Sequence, residues 1–184
     1  MSVSDLPVEL VQEFVLAAHN DLAKLQTMYA AEPQLLNVAS PTTGETALAA
    51  AAHVGRRDIA IFLLEQGAPM EITTAAMLGD VELVRSYLAT DPDLAQTSGA
   101  HNIPLLFHAA LSNNLELLEV LYQAGSRSLG SALHLAIGRG QLQLIRWLLD
   151  HGATPDVTDM RGRTAQELAA AHDDPEIRAL FQEN

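Results

Sequence analysis

Cysteine is missing from all 184 residues. Disulfides, thiolate metal sites and a cysteine nucleophile are therefore excluded. Positive charge is scarce as well: ten Lys and Arg face 23 Asp and Glu, a formal net charge of −13. A duplex nucleic-acid partner needs many phosphate-neutralising cations, so this balance argues against one. It argues equally against an anionic membrane surface. No apolar run approaches the ~18 residues of a membrane helix. The first Lys or Arg is Lys24, so MSVSDLPVEL lacks the positive start of a secretory signal, and a cytoplasmic location is expected. What remains is 48% apolar and 18% charged, too apolar for disorder and long enough for one domain or one short repeat array. Arg outnumbers Lys nine to one, and Ala and Leu are abundant, a composition that suits a GC-rich bacterial genome.

One unit is written several times along the chain. Residues 44–68 read GETALAAAAHVGRRDIAIFLLEQGA, residues 103–125 IPLLFHAALSNNLELLEVLYQAG and residues 130–153 GSALHLAIGRGQLQLIRWLLDHGA. Each has a small-residue helix, a turn at Gly or Asn, a bulkier helix and a closing Gly. Gly55 to Gly67, Asn113 to Gly125 and Gly140 to Gly152 are each twelve residues. Two further units, VLAAHNDLAKLQTMYAAEP and TAAMLGDVELVRSYLATDP, close on a carboxylate and Pro, and GRTAQELAAAHDDPEIRALFQEN supplies a sixth. Ala lets inner helices approach closely and is the best helix former. Leu142, Leu144, Ile145, Leu148 and Leu149 recur at helical spacing in a second helix. One pair cannot bury both faces, but stacked pairs share a continuous core.

This pattern resembles the ankyrin repeat, whose signature includes T-P-L-H-x-A at a 33-residue period. The corresponding segments begin at Thr46, Ser131 and Thr164, and the last two starts are 33 apart. The likeness extends to small stand-alone bacterial ankyrin proteins. It implies an all-α helix-pair solenoid in a single domain, 1–184, with units near 5–37, 41–68, 69–93, 99–126, 127–153 and 159–184. The turns at 20, 55, 79, 113, 140 and 173 are unevenly spaced, so the connecting fingers must absorb the difference. Short β-hairpin fingers are expected at 34–45, 93–103 and 153–163, with tight links near 68–72 and 126–130. Lys24 and Gln26 at one end, and Arg178, Gln182 and Glu183 at the other, read as the polar outer faces of terminal repeats.

The chemical motifs are weak. No H-E-x-x-H occurs and no two His lie four apart, so no metal and no cofactor are expected. His134 fills the H of the signature, where the resemblance implies that it bridges backbone groups of neighbouring loops. His108 reads as a packed residue. His172-Asp173-Asp174 is read as the start of the last helix, with carboxylates at its positive end and Pro175 in the first turn. Gly138-Arg139-Gly140 lacks the third Gly and the preceding strand of a dinucleotide loop. Ser128, Ser131 and His134 have no nearby carboxylate to orient a base. No catalytic residue is assigned, and the chain is expected to be a binding module and not an enzyme.

The resemblance places the two residues before each inter-helix turn on a concave palm. An apolar run, Val54, Met77, Leu78 and Leu111, then crosses three adjacent units, with His53, His101 and Arg139 on its rim. A contiguous apolar patch usually marks an interaction site. Arg127, Arg139, Arg161 and Arg163 map to fingers and inner-helix ends, where they form a candidate anion-binding spot. The implied function is protein binding by a monomer, regulatory or scaffolding, to an unidentified protein partner. The rival is a small-molecule or enzymatic site in the groove at the shortened fingers.

Overall fold

Small-residue and bulky-residue segments alternate, and in the computed structural model, which describes residues 6–182, each couple becomes an antiparallel pair of helices. The pairs are α1 (Val8–Ala17) with α2 (Leu22–Ala31), and α3 (Ala47–Val54) with α4 (Arg57–Glu65). Next come α5 (Ile72–Leu78) with α6 (Val81–Thr90), and α7 (Leu105–Ser112) with α8 (Leu115–Gln123). The last are α9 (Leu129–Gly138) with α10 (Leu142–Asp150), and α11 (Ala165–Ala170) with α12 (Pro175–Leu180). The odd-numbered helices stack side by side as an inner layer, each touching the next. Glu183 lies outside the described residues.

Local chemistry starts and stops each helix. Asp21, Thr46, Asp80, Asn114, Thr164 and Asp174 accept hydrogen bonds from backbone N–H groups in the first turn of the helix that follows each. At Thr164 the cap is reciprocal, because Glu167 accepts from the Thr164 N–H. Asp174 caps α12 with Pro175 in its first turn, as the sequence suggests. In the four central pairs the chain turns from inner to outer helix through a left-handed residue. Gly55 has φ 78°, and Asn113 takes the same role at φ 55° without glycine.

The core is the seam between the layers. Ala50, Ala51, Ala75, Ala76, Ala109, Ala110 and Ala132 are fully buried, and these methyls let the inner helices pack closely. Leu63, Val84, Leu117, Leu118, Leu121, Leu144 and Leu148 fill the seam from the outer helices and are also fully buried. At the N-terminal end, α2 buries only Leu25, and Lys24 pairs with Glu13 at 2.7 Å on its exposed surface.

The fingers are reduced further than the sequence suggests. Among the described residues there is no β-strand; two fingers hold one antiparallel bridge each, Ser98 with Pro104 and Thr158 with Thr164. The first finger is a turn, closed by Ser40 N–H to the Glu45 carbonyl at 2.8 Å and Gly44 N–H to the Ser40 carbonyl at 2.7 Å. Only five residues lie between the two partners of each bridge, and side chains add to the tying. His134 spans from the Gly130 carbonyl (2.8 Å) to the Arg163 carbonyl (3.1 Å), the bridging position implied for it. Buried Ser126 donates to the Ala95 carbonyl and Gln96 to the Gly125 carbonyl, fastening the tight link before α9 to the preceding finger.

Candidate functional site

The link between α4 and α5 carries no finger, and the site is built around that omission. The next finger, residues 93–103, reaches back over the gap to touch α3, two units away. α3 and α7 also touch directly across α5. At Gly55 the closeness is tight: a Cβ there would stand 3.1 Å from both Leu111 Cδ2 and Arg139 Nη2. The ends of α3, α7 and α9 therefore converge on one concave patch.

A buried carboxylate anchors the patch. Glu45 lies one residue before the Thr46 cap of α3, held by the Ser40 turn, and is only 4% exposed. Its side chain runs along α3 past the small Ala49 to His53, whose Nδ1 is 2.8 Å from Glu45 Oε1. His19, from the end of α1, brings Nε2 to 3.8 Å from Oε2. His101, from the second finger, brings Nε2 to 3.5 Å from the same oxygen. The His53 ring stands edge-on to both others, at 5.0 Å from His19 and 5.1 Å from His101. Burial lowers the His53 pKa from its ordinary 6.5, outweighing the raising effect of Glu45; His19 and His101 lower it too.

His101 reaches this position through strained backbone. It and Asn102 both have φ 57°, a left-handed pair without glycine. Such residues cost on the order of 1 kcal/mol or more each and persist where surroundings hold them. The base of the same finger is packed on His108: a Cβ on Gly99 would come within 2.9 Å of the His108 ring.

His108 is 1% exposed, and burial pushes its pKa down to about 4, against a modest raising effect from the Pro104 carbonyl it faces at 3.2 Å. The unfolded chain takes up this proton near pH 6.5 and the folded chain only near 4. The His108 contribution to stability is therefore full above pH 6.5 and is lost as pH falls toward 4, by up to about 3 kcal/mol. Melting temperatures at pH 7 and pH 5 should differ more in the parent than in His108→Leu. An equal difference would contradict the neutral, packed ring.

The structure divides the ten residues assigned from sequence. His53 and Val54 are half-buried at the end of α3, while His101 and Arg139 are exposed. Leu78 and Leu111 are half-buried and pack on the core beneath the patch. Met77 is corrected: it is 2% exposed and belongs to the core. α5 is only seven residues long and lies roofed by its neighbours, so the residue that would face the palm in a longer helix faces inward. The arginines are held by different elements. Arg127 stacks on the Tyr122 ring at 4.2 Å and donates to the Tyr122 and Ser126 carbonyls. Arg163 pairs with Asp159 at 2.9 Å, within the finger that also carries Arg161. Arg139 alone of the four reaches the patch, donating to the Leu111 carbonyl at 3.3 Å. His19 and Glu45 escaped sequence reasoning, because their positions 26 residues apart carry no local spacing signal.

The comparisons agree with the helix-pair repeat fold. A family model described as "Ankyrin repeats (3 copies)" matches residues 72–159 and 106–183, and one described as "Ankyrin repeat" matches 43–75. The chain belongs to the ankyrin-repeat family, whose members are general protein-interaction modules. It is similar to an ankyrin repeat-containing protein of Treponema pallidum (strain Nichols), 28% identical over 191 residues, covering 95% of this chain and 63% of that protein. It is also similar to human palmitoyltransferase ZDHHC13, 31% identical over 117 residues, covering 60% of this chain and 19% of that protein. The potassium channel AKT1 of Arabidopsis thaliana is 37% identical over 81 residues, covering 41% of this chain and 10% of the channel. The chain thus spans less than two thirds of the length of each of these relatives. Among the described residues no helix is long and apolar enough to cross a membrane.

Proposed function

We propose that the chain is a non-enzymatic binding module that holds one partner protein in the concave patch formed by the ends of α3, α7 and α9 and the second finger. The observation that carries this reading is the convergence of Leu111 and Arg139 on Gly55, next to half-buried Val54, with His101 against the neighbouring His53. Half-buried apolar groups at the centre with charged and polar groups at the rim is the usual anatomy of a protein interface. The role is regulatory or scaffolding, and the six units act as one domain, 1–184, in a cytoplasmic monomer. A bacterial origin is supported by the arginine-rich, alanine-rich composition and by the Treponema relative. The net charge of −13 disfavours nucleic acid and membrane, while the local Arg139 rim favours a partner carboxylate at the patch.

Affinity capture from native cell extract, read by mass spectrometry, tests the proposal. Val54→Glu with Arg139→Glu adds two acids at the surface and reverses one rim charge. It should leave the helical spectrum and melting point nearly unchanged while lowering capture at least tenfold, about 1.4 kcal/mol or more. Undiminished capture by the folded variant would remove the patch from the interface. The rival reading, a ligand or enzymatic groove at the shortened fingers, has the His–Glu cluster in its favour. A thermal-shift screen with metabolites separates the two, since only the groove reading expects a stabilising small molecule.

A further inference from the structure

We infer that His19, Glu45 and His53, with His101 as the fourth donor, form a binding site for one divalent transition-metal ion of the zinc class. The inference stands on the cluster alone and is independent of the partner-binding reading.

The donor set and its dimensions fit. Imidazole with one carboxylate suits zinc and its neighbours in the first transition row. One ligand atom from each of His19, Glu45 and His53 lies within 4.8 Å of the others. A zinc ion about 2.0–2.2 Å from each donor sets tetrahedral donors roughly 3.3–3.5 Å apart. Glu45 Oε2 is 3.8 Å from His19 Nε2 and 3.5 Å from His101 Nε2, close to that span; His101 stands outside the 4.8 Å group and has to swing inward with its finger to become the fourth donor. His53 Nδ1 lies 2.8 Å from Oε1 and 3.3 Å from the Ala49 carbonyl, two acceptors that hold a proton there, so ligation requires this ring to turn and present the lone pair of Nε2.

The hydrogen-bond pattern points the same way. His19 Nδ1 lies 3.0 Å from the Val15 carbonyl, an acceptor, so in the neutral ring the proton sits on Nδ1. Nε2 then carries a lone pair, and it faces the Glu45 carboxylate. A lone pair aimed at a carboxylate is repelled unless a proton or a metal cation lies between them, and the site offers a place for either. A ring whose other nitrogen donates to a backbone carbonyl is the usual support for a histidine that ligates metal. Glu45 adds a second observation: its carboxylate is almost fully buried, and Oε1 makes no hydrogen bond of sound geometry. An ionised carboxylate so placed needs a compensating charge. The third observation is the left-handed pair His101 and Asn102, strained backbone that holds a histidine over the cluster. The finger brings this donor because the unit between has no finger to block it.

The test uses the untagged full chain, stripped with chelator and titrated with Co²⁺, with Zn²⁺ then displacing it. One equivalent should bind at about 10 µM protein, with the visible absorption of a four-coordinate cobalt site that Zn²⁺ abolishes. His101→Gln, an exposed change, should weaken binding about tenfold or more with the circular dichroism spectrum unchanged. His19→Gln with His53→Gln should abolish it. Absence of stoichiometric uptake by the parent would overturn the site, as would uptake by folded His101→Gln equal to the parent. If the double variant does not fold, His101→Gln decides alone. Partner capture by the chelator-stripped chain is a separate readout, so failure of either proposal is seen by itself.

Discussion

Leu117→Asp should melt at least about 10 °C below the parent, or fail to fold. Leu117 is fully buried in the seam between inner and outer helices, at the middle of the array. Aspartate there loses the leucine burial and places a carboxylate where no cation waits, a cost of roughly 4 kcal/mol or more. For a chain of this size each kcal/mol moves the midpoint by about 2–4 °C. The loss should not stay local. Each pair draws its core from both neighbours, so breaking a central pair removes support from the units on either side. Thermal circular dichroism checks this. A melting curve coincident with the parent's would mean that the assigned register of α8 is wrong.

Met77→Glu should be nearly as damaging, roughly 3 kcal/mol or more, by the same physics acting from the inner layer. Met77 is 2% exposed and packs with Ala47, Leu48 and the other residues of the first two units. It is the fully buried α5 side chain of this part of the core, with half-buried Leu78 beside it, so it couples the N-terminal pairs to the rest of the array. Met77→Leu keeps the volume and should cost less than about 1.5 kcal/mol. Equilibrium urea denaturation of the two variants checks the contrast. A Met77→Glu protein as stable as Met77→Leu would return this residue to the solvent-facing palm.

Helix pairs were legible because their signals are local. The twelve-residue step from Asn113 to Gly125 or Gly140 to Gly152 is a length of backbone, and alanine-rich stretches such as 49–52 fix which helix lies inside. The fingers were legible by their lengths but not by their form. Whether residues 93–103 make a ladder or a single bridge depends on what lies beneath them, and beneath them is the gap left by the fingerless unit. The same gap explains the two failures at the site. A rule for palm positions assumes inner helices of equal length, and α5 is short enough for Met77 to turn inward. His53 and His101 could be placed on the rim one at a time, but their meeting at Glu45 depends on the tilt of a finger from two units away.

Hydrogen-exchange mass spectrometry on the complex with the captured partner tests the palm most directly. Protection should concentrate at residues 52–56 at the end of α3, at the second finger from 98 to 103, and at the ends of α7 and α9 around Leu111 and Arg139. The outer helices α4, α6 and α8 should exchange as they do in the free chain. Protection confined to those outer helices, with the palm exchanging unchanged, would contradict the account.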